Sequence, residues 1–133
     1  MTEFVLWYLF ALAASWLAFP LAFRFLPALP ERGFTASRAL GLLLWGYIYW
    51  LLNSLGILQN NTGSLFLAWL ILAALSAWAL RGNLQIRRWL RQNSGLVLIT
   101  EGIFLAAFAA WAIVRAANPE AVGTEKPMEL AFI

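Results

Sequence analysis

Apolar residues run almost unbroken through four stretches, Phe4 to Phe23, Leu40 to Leu58, Ser64 to Leu80 and Leu96 to Val114, separated by short segments where arginine, asparagine, glycine and proline gather. Each is close to the roughly 17–25 residues with which an α-helix crosses a hydrocarbon core. Only a helix or a closed barrel satisfies its backbone there. A water-soluble packing would need four nearly uniform buried helices in a chain too small to surround them. The pattern therefore predicts an all-α, polytopic transmembrane bundle of four spans over residues 1–117. Residues 118–133 are expected to begin an outer-face loop or interfacial helix.

The punctuation refines this picture. Pro20 lies inside the first stretch, removes a backbone hydrogen bond to Trp16 and is expected to kink the helix. The first stretch lacks the positive leader of a signal peptide, because Met1-Thr2-Glu3 is acidic, so it reads as a retained helix. Asn118-Pro119 ends the fourth helix, since the residue before proline is pushed out of the α region.

Composition places the chain firmly in lipid: 63% of its 133 residues are hydrophobic and 11% charged, against about half and a quarter in soluble domains. With no cysteine, disulfides, thiolate metal sites and cysteine nucleophiles are excluded. With no histidine, the commonest metal ligand and general base is missing, and no haem is expected. The net charge of +3 comes from basic residues set between apolar runs, so no nucleic-acid partner is expected. Seven of the nine basic residues (Arg24, Arg32, Arg38, Arg81, Arg87, Arg88 and Arg91) fall on one side of the predicted spans, and Arg115 and Lys126 on the other. The positive-inside rule puts the seven in the cytoplasm and both termini on the outer face.

Glu101 is the one acid inside a predicted span. A carboxyl at that depth costs several kcal/mol unless it finds a partner or a proton. Tyr47, Tyr49, Ser76 and Arg24 are the partners at matching depth, and an interhelical hydrogen bond is expected in preference to a proton or ligand site. Replacement by Gln is then expected to be tolerated and replacement by Leu to destabilise. Asn53 and Ser54 are expected to join helices through hydrogen bonds. Gly102, Ala106, Ala109 and Ala110 form a small-residue face on which further transmembrane helices or subunits are expected to dock. Trp7, Trp45 and Trp89 lie near interfaces; Trp50, Trp69 and Trp111 are expected to fill space between helices. In Leu84–Arg91, Ile86, Trp89 and Leu90 share one side of a short helix and the arginines the other, which suits an element lying on an anionic leaflet.

The last stretch, Gly123 to Ile133, gathers Glu125, Lys126 and Glu129 around Pro127, which is placed to start a helix along the membrane surface. Arg115, Asn118-Pro119 and Gly123-Thr124-Glu125-Lys126-Pro127-Met128-Glu129-Leu130-Ala131-Phe132 resemble a passage of the YYY-type membrane proteins, a polytopic family of unassigned function. Leu29 to Phe34, Leu40 to Leu44 and Trp50 to Gly56 resemble its upstream segments. The resemblance implies the N-terminal part of such a protein, or a short relative. That family is distantly similar to membrane glycosyltransferases that use polyprenyl-phosphate sugars. Under that likeness Glu129 matches a catalytic acid, with Glu where the family has Asp. Lys126, Glu125 and Arg115 are then candidates for the substrate or lipid phosphate. A divalent metal becomes the candidate cofactor, the lipid bilayer and a polyprenyl-phosphate sugar become partners, and the prokaryotic cell membrane becomes the location. The alternative is a small non-catalytic membrane subunit that stabilises a larger complex.

Overall fold

A computed structural model describes residues 2–81 and 85–117. These form five helices: α1 (Thr2–Phe25), α2 (Ser37–Ser54), α3 (Thr62–Leu80), α4 (Gln85–Gln92) and α5 (Ser94–Ala117), with no strand among the described residues. Residues 1–101 make one compact unit and residues 102–133 a second, and each is taken by itself.

Local chemistry sets the helix ends. Asn61 has extended backbone, and its Oδ1 accepts from the Ser64 N–H at 2.9 Å and from the Ser64 hydroxyl at 3.1 Å, capping α3. α2 stops where Gly56 enters the left-handed region at φ +70° and its N–H returns to the Asn53 carbonyl. The apolar run continues to Leu58, but the helix does not. α1 runs unbroken through the buried Pro20.

Contacts fix the register of the first unit. Phe10 meets Trp45, Ala14 meets Gly41 and Ser15 meets Ser37, so α2 runs antiparallel to α1. Phe10 meets Trp69 in the first half of α3 and Phe25 meets Trp78 near its end, so α1 and α3 run parallel. Small side chains make the α1 contact close: Ala11, Ala14, Ser15, Ala18 and Ala22, which share one face of the helix, are all buried. Ser15 and Ser37 satisfy each other at 2.8 Å, and the Ser37 hydroxyl also reaches the Phe34 carbonyl at 2.7 Å.

At the arginine-rich end of the unit, Phe19, Phe23, Phe34 and Ile86 form one core, with Trp89, Leu90, Leu96 and Val97 packed on it. The apolar side of α4 therefore rests on protein. The sequence had assigned it to lipid, because periodicity shows that a face is apolar but not what covers it. A second core joins Leu21, Leu72 and Ala79 to Leu44, Trp45 and Ile48.

Three helices, α1, α3 and α5, are long and apolar enough to cross a membrane. The fourth expected span corresponds to α2, an 18-residue helix that carries Arg38, Tyr47, Tyr49 and Asn53 and is not among the three. Trp69 is half-buried between helices as expected, whereas Trp50 and Trp111 are 60% and 70% exposed and fill no interhelical space among the described residues.

Candidate functional site

One pair of charged side chains in the first unit is largely shielded from solvent. Arg38, the second residue of α2, donates from Nη2 to Glu101 Oε2 at 2.5 Å, with the two side chains only 11% and 18% exposed. Among the described residues this is the one ion pair, and Glu101 Oε1 is buried there without a hydrogen bond. In low dielectric such a pair costs desolvation that only good geometry offsets, and losing either partner strands a charge.

None of the partners expected for Glu101 takes that role. The Tyr49 hydroxyl bonds Asn60 Oδ1, Tyr47 packs against Trp50, Ser76 is buried within α3, and the Arg24 guanidinium lies 4.1 Å over the Trp78 ring. Arg38 is not among the expected partners because the apolar run begins at Leu40, which leaves the arginine in a water-facing loop. The helix begins three residues earlier, at Ser37. The available signal was adjacency: Arg38 is the cation nearest the start of that apolar run. Asn53 also departs from expectation, since its amide donates to the Tyr49 carbonyl of its own helix at 2.8 Å and joins no second helix among the described residues.

Of the other predicted residues, Arg115 sits exposed in the last turn of α5, in the second unit. Gly102, Ala106, Ala109 and Ala110 lie on α5, and a Cβ built on Gly102 meets nothing within 4 Å. Glu125, Lys126 and Glu129 lie outside the described residues. Among the described residues no group of three or more acidic side chains is placed to hold a metal.

A second feature was not legible in sequence. Between α1, α2 and α3 lies an open groove of about 600 Å³, walled by Leu6, Trp7, Phe10, Trp45, Phe66 and Trp69, with Ala13 along it and Glu3 and Thr62 also on its lining. Phe10 organises the walls, its ring edge-on to Trp45 at 5.1 Å and to Trp69 at 5.2 Å. The Trp45 Nε1 is spoken for by the Leu65 carbonyl at 3.2 Å, so the groove presents almost wholly apolar surface. Aromatics scattered over three helices give no pattern in one dimension; only the register brings them together.

No curated protein and no solved structure matches this chain. Residues 44–133 match the profile of a family described as uncharacterized membrane protein, DUF2298. The matched region includes Glu101, the α2 and α3 walls of the groove and all of residues 118–133. A membrane family of unassigned function is what the tail motif leads one to expect, and no glycosyltransferase resemblance is shown. With its apolar helices and a family match over most of its length, the chain is an integral membrane protein and belongs to the DUF2298 family.

Proposed function

We propose that this chain is the four-span N-terminal transmembrane part of a glycosyltransferase-like membrane protein, inactive by itself, that takes its sugar from a polyprenyl-phosphate carrier at the outer face of a prokaryotic cell membrane. Four crossings are supported by direction: α1 and α3 are parallel and both long enough to span, so the chain has to return across the membrane between them, and α2 is the segment available. With α5 as the fourth crossing, the seven arginines on one side favour both termini on the other.

The observation that carries the substrate class is the groove. From Glu3 to Ala13 it follows α1 for about 15 Å at 1.5 Å per residue. Its volume lies within the roughly 300–1,000 Å³ of ligand pockets. A long, flexible hydrocarbon chain, such as that of a polyprenyl carrier, fits such walls. The reacting chemistry falls to residues argued from sequence alone: Glu129 as base or metal ligand, with Lys126, Glu125 and Arg115 toward substrate and phosphate.

The test belongs in a full-length relative. Replacing the carboxylate that matches Glu129 by Gln is expected to lower transfer from a polyprenyl-phosphate sugar by about 10²–10⁴-fold, the contribution of a positioned general base, with protein yield unchanged. Unchanged transfer removes Glu129 from the mechanism. A second reading then stands, a non-catalytic subunit that packs onto a larger membrane complex. It is favoured by α5, which buries none of its 24 residues.

A further inference from the structure

The arginine-rich end of the first unit holds more charge than its own carboxylates answer. Arg24, Arg81, Arg87, Arg88 and Arg91 are all exposed, and none makes an ion pair with a described residue. Of the acids nearby, Glu101 is paired with Arg38, and Glu31, which accepts from the Thr35 hydroxyl at 3.0 Å, is a single carboxylate beside these five arginines. α4 is fixed in place by Ile86, which is 5% exposed in the aromatic core, so Arg87, Arg88 and Arg91 are presented from a docked helix.

One part of this surface has a more definite shape. Arg24 closes α1, with its guanidinium 4.1 Å from the centroid of Trp78, and Arg81 caps α3, its N–H bonded to the Trp78 carbonyl at 3.2 Å. Arg24 is thus held by its guanidinium on the Trp78 ring, and Arg81 by its backbone on the Trp78 backbone three residues before it. Beside them the exposed Phe25 ring stacks on Trp78 at 6.5 Å, and Leu75 and Leu80 of the same helix are exposed as well. Both arginines end helices that qualify as membrane spans, so this shelf stands at the level of the headgroups with its apolar side chains toward the acyl region.

We propose that this end is a binding surface for anionic phospholipid headgroups, with the Arg24–Trp78–Arg81 shelf as the seat of the headgroup phosphate. Arginine forks match phosphate oxygens two at a time, and a ring beneath the guanidinium holds the fork in place. The upper acyl chain carbons then lie against Phe25, Leu75 and Leu80. A soluble anion would find the charge but would gain nothing from those apolar residues.

Thermal unfolding of the detergent-purified chain, titrated with phosphatidylglycerol, phosphatidylcholine or inorganic phosphate, tests this. Phosphatidylglycerol is expected to raise the Tm saturably, and the other two are not. In Arg24→Gln/Arg81→Gln the apparent affinity for phosphatidylglycerol is expected to fall about tenfold or more, because each basic residue near an anionic surface contributes about a factor of five. The Tm without lipid serves as the folding control. Equal stabilisation by the two phospholipids, or an unchanged affinity in the variant, overturns the proposal. Inorganic phosphate acting as well as phosphatidylglycerol also overturns it, in favour of a soluble anion. If the Gln variant does not fold, Arg24→Lys/Arg81→Lys decides: it keeps the charge but loses the forks, so a several-fold weaker affinity is expected and an unchanged one overturns the shelf.

Discussion

Gly41→Ala is expected to destabilise the protein by about 3 kcal/mol or more, at or beyond the upper end for overpacked interiors. The added Cβ would stand 2.2 Å from the carbonyl oxygen of Ala14 and 2.6 Å from its carbon. Those are backbone atoms of a helix packed against α2 and cannot rotate away, so α1 and α2 must separate. The separation also pulls on the 2.8 Å hydrogen bond between Ser15 and Ser37, one turn along the same interface. Gly46→Ala is the matched control on the same helix, since a Cβ there meets nothing within 4 Å. It is expected to be neutral or to stabilise by up to about 1 kcal/mol through helix propensity. Unfolding in detergent separates the two, and equal effects at both positions would show that α1 and α2 are not in this close contact.

The second large effect is expected at the ion pair. Glu101→Leu removes the carboxylate bonded to the Arg38 guanidinium, which is 11% exposed, and is expected to cost about 3–5 kcal/mol. Arg38→Leu is expected to be comparably damaging, for the converse reason. The double replacement Arg38→Leu/Glu101→Leu is expected to regain most of the loss, because an apolar pair of similar volume often matches a buried ion pair. Glu101→Gln, tolerable on the sequence alone, now falls between: it keeps a hydrogen-bond acceptor but removes the counter-charge. A double-mutant cycle in which the single losses simply add would dissolve the pair as a stabilising unit.

The elements were largely legible because burial in lipid writes itself into long apolar runs. α1, α3 and α5 begin and end within a few residues of the runs that announce them. α2 departed at both ends for local reasons: Ser37 and Arg38 belong to the helix, and Gly56 turns the chain before Leu58. That Glu101 required a partner was readable; which partner was not, since the contact joins positions 63 apart and depth alone ranks several candidates equally. The close packing of α1 was readable in principle from Ala11, Ala14, Ser15, Ala18 and Ala22, a small-residue stripe as clear as the one on α5. The groove was not, because its walls come from three helices and exist only once Phe10, Trp45 and Trp69 are brought together.

The groove is where the functional account meets measurement most directly. Ala13 lines the groove and is exposed there, so a bulky residue at that position fills the groove without entering the core. A polyprenyl phosphate with a photoactivatable group in its hydrocarbon chain, irradiated with the protein in phosphatidylcholine vesicles, is expected to label Trp7, Phe10, Trp45, Phe66 and Trp69. Excess unlabelled polyprenyl phosphate is expected to suppress that labelling, and Ala13→Phe to reduce it several-fold while leaving the Tm unchanged. Label spread evenly over lipid-facing residues such as Leu70 and Leu98, and indifferent to Ala13→Phe, would contradict the assignment of the groove to a carrier chain.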